Sequence, residues 1–350
     1  MTNVLLHSLR FFLLLLAVFL SKGDLLYSQD PVQPGSLISW GLVKIDAGEI
    51  RDIELISAGG FHNAILRSDG RVSAWGSVPT TAEFDSEDTY LSVAAGLQHT
   101  LLLREDGTVS LFGQDTGSGT NSPPDGLENV VKIAAGANIN IALLSDGTVV
   151  TWGDNSFGQN NVPDGLSNVT DVSSGGFYHS VLHSDGTVTV FGAPVPAVNN
   201  IPVNLENVVA ISAGHNHMLA LHSDGTVTAW GDNNNGQIDV PEDLNDVVAI
   251  SAGFEFSLAV KSDGSIVNWG RLRFFLTNTS GLLNIIDVSA GWNHAIALRD
   301  DGSLLAFGQN ENGQAINPDE WKNLVGIEAG STQLFGIHED GRLSELGTSY

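Results

Sequence analysis

The chain of 350 residues contains no cysteine. That excludes structural disulfides and any lipid anchor through cysteine, so stability must come from packing alone. Basic residues are scarce: 14 Lys and Arg stand against 40 Asp and Glu, for a formal net charge of -26. A field of that sign repels phosphate backbones and anionic headgroups, which argues against nucleic acid and membrane surfaces as partners. A helical period is missing throughout. The longest apolar run, Phe11 to Leu20, is half of the roughly 20 residues that a membrane-spanning helix needs.

That run sits in "MTNVLLHSLRFFLLLLAVFLSKGD", after Arg10 and before the small residues Ser21 and Gly23. A basic start, a short apolar stretch and small residues make a signal-peptide plan. Residues 1–23 are therefore expected to be removed, with cleavage as late as residue 28 as the alternative. Residues 24–36 read as a linker and 37–350 as a single domain. The expected location is secreted or periplasmic.

Repetition fills that domain. Asp-Gly recurs in register at Asp69, Asp106, Asp146, Asp185, Asp224, Asp263, Asp301 and Asp340, at spacings of 37 to 40 residues. Ten residues before each Asp lies a Gly, and six after each turn Gly lies another, usually as "WG" or "FG". A fixed period of this length signals a solenoid or a propeller.

One repeat, "VVAISAGHNHMLALHSDGTVTAWGDNNNGQIDVP" (208–241), shows how the unit folds. "VVAIS", "HMLAL" and "TVTAW" read as three short strands, and "QIDVP" as a fourth at the edge. Asp-Gly between apolar segments predicts a two-residue hairpin turn with positive φ at both central positions. "GDNNNG" is a polar loop. Four antiparallel strands per 39 residues describe a propeller blade, which needs neighbours to bury both of its faces. The fold class is all-β. Eight full cassettes favour eight blades, with seven as the alternative. The lone "LISWG" at 37–41 is expected to close the ring as an N-terminal strand.

The wording "AISAGHNHMLALHSDGTVTAWGDNNNGQ" resembles the repeat of the regulator of chromosome condensation family, over about residues 37–347. The "VP" after "GQ" resembles the secreted bacterial β-lactamase-inhibitor propeller more than the nuclear Ran exchange factor. The resemblance implies a propeller, with seven blades as the family norm. The loops after Gly76, Gly192 and Gly270 depart from it by lacking "NxxGQ".

Candidate chemistry is sparse. Seven residues before the turn Asp stand His62, His99, His217 and His294, with Ile139, Tyr178, Phe256 and Gln333 in the other copies. A residue recurring around a ring reads as structural, since a catalytic His would occur once with its own partners. "DNNNG" (232–236) fits a calcium loop poorly and a turn well. Glu105-Asp106 and Asp300-Asp301 each include a hairpin Asp and would point apart on a strand. Nucleophile, phosphate and zinc motifs are absent, so no catalytic, cofactor or metal residue is assigned and no cofactor is expected.

What remains is surface. With strands alternating in direction, the loop after "AG" and the loop after "WG" share one face, and the Asp-Gly turns lie opposite. That face collects the candidate partner-binding residues Phe61, Phe157, Phe177, Phe254, Arg271, Arg273, Phe274, Phe275 and Trp292, amid Asp154, Asp232, Glu255 and Glu311. Aromatics with Arg are the residue types that anchor protein interfaces. The expected function is a monomeric, exported propeller that binds an extracellular or periplasmic protein and is not an enzyme. The alternative is an extracellular carbohydrate-active enzyme with its site in the central funnel.

Overall fold

The computed structural model describes residues 52–76, 88–113, 122–192, 196–203, 205–271, 283–310, 315 and 321–347. Eight antiparallel sheets follow one another, covering 53–76, 90–113, 130–153, 169–192, 208–231, 247–270, 285–308 and 324–347, and are numbered here as blades 1 to 8. Each has three strands. In blade 1 they are β1 (Ile53–Ala58), β2 (His62–Arg67) and β3 (Val72–Gly76), hydrogen-bonded in that order.

Middle strands such as "HTLLLR" and "HMLALH" are apolar almost throughout because both of their faces are covered. Alternate side chains go to opposite neighbours. Leu101 and Leu103 of blade 2 meet Ile133 and Trp152 of blade 3, and Ile141 and Leu143 of blade 3 meet Val172 and Phe191 of blade 4. Eight such clusters fill the eight junctions. The last joins Phe335, Ile337 and Leu343 of blade 8 to Ile53, Ile65 and Trp75 of blade 1, which closes the ring.

A repeated backbone hydrogen bond runs along the same junctions. The first residue of each inner strand donates to the turn Gly of the preceding blade: Tyr90 to Gly70 at 2.9 Å, Val130 to Gly107 at 2.9 Å, Val208 to Gly186 at 3.0 Å. The eighth, Ile53 to Gly341, spans 3.3 Å and is the longest of the set. The residue before each inner strand is Asn or Asp at positive φ in seven blades, from Asp246 at 54° to Asn284 at 67°. Asn and Asp tolerate this conformation better than other non-glycine residues, and it turns the chain from one blade into the next.

Two expectations are corrected. The hairpin loop has three residues, not two. The Gly70 N–H donates to Arg67 O and the Arg67 N–H to Arg71 O, with positive φ at Gly70 (80°) and not at Asp69. This is a type I turn with a glycine bulge. The Asp instead accepts from the residue after the Gly, as Asp106 Oδ1 does from the Thr108 N–H (2.9 Å) and hydroxyl (2.6 Å). The second correction concerns strand number. "QIDVP" does not pair as a fourth strand. Gln237 is 1% exposed and folds back to accept from the Asn235 N–H at 2.9 Å, while Val240 and Leu244 cover the junction between blades 5 and 6. The closing strand expected over 37–41 and the signal segment lie outside the described residues. A one-turn helix, α1 (Pro196–Asn199), caps the junction between blades 4 and 5, where Val198 O accepts from Trp230 Nε1 at 2.9 Å.

Candidate functional site

Each inner strand ends in Ala or Ser followed by Gly, and these two layers ring a central cavity of about 430 Å³. The Gly layer is imposed by proximity. A Cβ on Gly253 would lie 2.3 Å from the Phe256 ring and 2.9 Å from Gly291 O of the next blade. Behind it lies the repeated histidine position. His99 Nε2 donates to Asn140 Oδ1 (2.7 Å) and His294 Nε2 to Gln333 O (3.0 Å), while His62 pairs with Thr100 Oγ1 (2.6 Å) and His217 with Ser257 Oγ (3.0 Å). Every one of these bonds crosses to the next blade. Tyr178 fills the position in blade 4 and donates to Gly214 O (2.9 Å) and His217 O (2.7 Å). Burial pushes His62 and His217 down to about 4. These side chains tie each blade to the next.

The two loops expected on one face are joined there. The Asp154 N–H donates to Asn138 O (2.9 Å), Asp232 to Asn216 O (2.8 Å), and Gln309 to Asn293 O (2.8 Å). Four of the predicted residues meet at the cavity mouth. Phe177 lies edge-on to His215 at 6.1 Å, His215 stacks on Phe254 at 4.3 Å, Phe254 lies 5.7 Å from Trp292, and Trp292 meets Phe61 edge-on at 6.3 Å. Five rings thus form one arc from blade 4 to blade 1. It bridges blade 8, whose equivalent residue is the small, buried Ser331, donating to Gly60 O. Phe61 and Phe177 join the arc from one position later in the repeat than Phe254 and Trp292, since Gly60 and Gly176 hold the earlier position.

The remaining predicted residues stand differently. Phe157, 63% exposed, tops the long loop of blade 3, apart from the arc. Its loop is tied by the Asp154 carboxylate, which accepts from the Ser156 N–H and from Gln159 Nε2. Asp232 does the same for Asn234 and Gln237 in blade 5, so its oxygens serve the turn. Arg271 pairs with Glu255 at 2.6 Å, beside Phe254. Arg273, Phe274, Phe275 and Glu311 lie outside the described residues.

Two acids of the inner strands stand outside the predicted set. Asp287 of blade 7 stays open to water although protein surrounds it, and burial raises it to about 6. Glu328 of blade 8 is raised to about 7, by desolvation first and by the charge of Asp287 last. Its carboxylate accepts from the Ser289 hydroxyl (3.2 Å) and from the Ala58 N–H of blade 1. Elsewhere a Ser makes the corresponding bond, as Ser212 Oγ does in accepting from the Ala252 N–H at 3.0 Å. The signal was available in the repeat: the equivalents of Glu328 are Ser57, Ala94, Ala134, Ser173, Ser212, Ser251 and Ser289.

Comparison with known proteins agrees with this architecture. Residues 53–77, 130–159, 208–237 and 285–314 match the family model of the regulator of chromosome condensation (RCC1) repeat, which covers blades 1, 3, 5 and 7. A search of curated proteins finds no match. Among solved structures, the CRINKLY WD40 ectodomain of the Arabidopsis thaliana receptor kinase ACR4 is similar, with 18% identity and a TM-score of 0.53 over 75% of this chain and 99% of that one. Prp20p from Saccharomyces cerevisiae, described with its binding properties to Gsp1p and histones, gives 21% identity and a TM-score of 0.54 over 75% and 83%. The computationally designed Ika8 protein gives 17% and 0.54 over 86% and 98%. At these identities the likeness is one of fold.

Proposed function

We propose that this chain, a propeller built of regulator of chromosome condensation repeats, is an exported binding protein that grips a protein partner with the aromatic arc at its funnel mouth. One observation carries the reading. Trp292 is 37% exposed, whereas Trp75, Trp152, Trp230, Trp269 and Trp321 lie between 3% and 7%. Its position holds Ala137 in blade 3 and Ser331 in blade 8, so blade packing does not require a large ring there. A large aromatic side chain that the fold does not need, set among other rings, has the make-up of an interface anchor. Export rests on the signal-like segment 1–23, and the absence of cysteine leaves the domain indifferent to an oxidising compartment.

The test has two parts. Protein recovered outside the cytoplasm should begin between residues 24 and 29; an intact Met1 there refutes export. Trp292→Ala should weaken capture of the native partner by roughly 2 kcal/mol, about thirty-fold, with an unchanged melting midpoint. Undiminished capture refutes the arc as the binding face.

An enzymatic reading gains one observation, the asymmetric pair of raised carboxyl groups at Asp287 and Glu328. Glu328, however, is engaged by Ala58 and Ser289 as part of the blade junction. Binding therefore explains more of the site than catalysis does.

A further inference from the structure

The funnel is not uniform around its circumference. At blade 8 the small, buried Ser331 stands where other blades carry a ring, and Trp292 and Phe61 meet across it with their centroids 6.3 Å apart. The inner strands of blades 7 and 8, which lead up to that sector, carry both unusual acids. Glu328 precedes Ser331 by three residues and Asp287 precedes Trp292 by five, so at about 3.3 Å per residue they lie roughly 10 and 17 Å below the rim. Glu328 accepts from the N–H of Ala58, which is itself part of the cavity wall. Among the described residues neither acid has a basic partner. Compensation does occur elsewhere at this level, where Lys132 of blade 3 pairs with Asp171 of blade 4. One sector is therefore aromatic above and anionic below, in a chain whose net charge is already -26.

A cation fits that combination better than a neutral group. Ring faces attract positive charge at the mouth, and uncompensated carboxylates draw it inward through a low-dielectric wall. Resting on the protein-binding reading above, we propose that the blade 8 sector of the funnel receives a basic side chain, lysine or arginine, presented by the partner protein. The alkyl stem lies against the Ala and Gly layers, and the charged head passes beneath Trp292 and Phe61 toward Glu328. The aromatic arc supplies contact area and the acids supply selection for charge.

The test uses the full chain and the peptide acetyl-Gly-Gly-Arg-Gly-Gly-amide, with the heat of binding in a calorimetric titration as the readout. The same peptide with citrulline, which keeps the shape and loses the charge, is the control. A lysine peptide is compared with its norleucine counterpart. At pH 8 both acids are ionised. The arginine peptide should bind at least about ten-fold more tightly than the citrulline peptide. Glu328→Gln should cut that preference about three-fold or more, without lowering the melting midpoint. Equal binding of the charged and neutral peptides, or a preference that survives unchanged in the Glu328→Gln, Asp287→Asn double variant, overturns the proposal. The protein-binding reading fails separately. Partner capture that depends on Trp292 without any charge preference sinks only the basic-side-chain inference. A charge preference together with capture that ignores Trp292 sinks only the partner face.

Discussion

Lowering the pH should destabilise this propeller through its histidines. His62 and His217 are held at about 4 and His179 at about 3, against 6.5 for a free imidazole, in each case because burial disfavours the cation. A histidine with a depressed folded pKa binds no proton between those values while the unfolded chain does. Its stabilisation is therefore present above pH 6.5 and is lost as pH falls toward the folded value. One unit is worth about 1.4 kcal/mol, so from pH 6.5 to 4.5 each of the three loses ~3 kcal/mol, or ~8 kcal/mol together. Glu328 opposes this, since its raised pKa makes it gain stability as pH falls through about 7. Domains of ordinary stability hold about 5–15 kcal/mol, so the ring should lose a large share of its stability by pH 4.5.

His217→Phe isolates one of these protons. Phe256 already occupies the same position one blade on, against Gly253 as His217 lies against Gly214. The change removes the bond to Ser257 Oγ, at a cost of about 1 kcal/mol at pH 7. It also removes a loss of ~3 kcal/mol by pH 4.5. Urea midpoints followed against pH should therefore cross, with the variant weaker at pH 7 and stronger at pH 4.5. Parallel curves would refute the claim that His217 is buried and neutral.

Gly225→Ala should destabilise by about 2 kcal/mol, because φ is 80° and the added Cβ would meet Asp246 Cα at 3.1 Å; an unchanged thermal midpoint counts against the turn described. Tyr178→Phe removes the hydroxyl shared by Gly214 O and His217 O and should cost about 1–2 kcal/mol in denaturant unfolding, with a neutral result showing that water takes over both carbonyls.

The ring itself was legible in the sequence because its period records a physical need. Every blade must bury both faces against a copy of itself, so the turn Gly, the Gly at the strand end and the apolar middle strand recur eight times. The turn type was not legible. Asp-Gly suits both a two-residue turn and a type I turn with a bulge, and the choice falls to the residue ahead: Arg67 O accepts from Gly70 rather than from Asp69. The fourth strand failed for a similar reason, since Gln237 spends its amide on its own loop. At the site, the face that gathers both loops follows from strand direction alone. The continuity of the arc does not, because Phe61 and Phe177 reach it from a shifted position that only the glycines before them make available.

Glu328 offers a way to separate structure from function at that site. It occupies the place of a junction serine, and serine there would still accept from the Ala58 N–H. The folded protein prefers it protonated, up to about 7 against 4.5. Between those values the folded state binds the extra proton, so stability falls as pH rises through the window, and above pH 7 the whole loss is present. The full shift would be ~3 kcal/mol; the partial exposure of the side chain reduces it to about 1 kcal/mol. Glu328→Ser should therefore raise stability by about that amount at pH 8 and leave it nearly unchanged at pH 4. A residue kept only to close the ring would behave in the opposite way, losing stability when replaced at either pH. Stability gained on removing a side chain marks a position held for a ligand rather than for the fold. The measurement is paired urea unfolding of the two proteins at pH 8 and pH 4. A loss at pH 8 would make Glu328 a structural clasp and withdraw it from the funnel's chemistry.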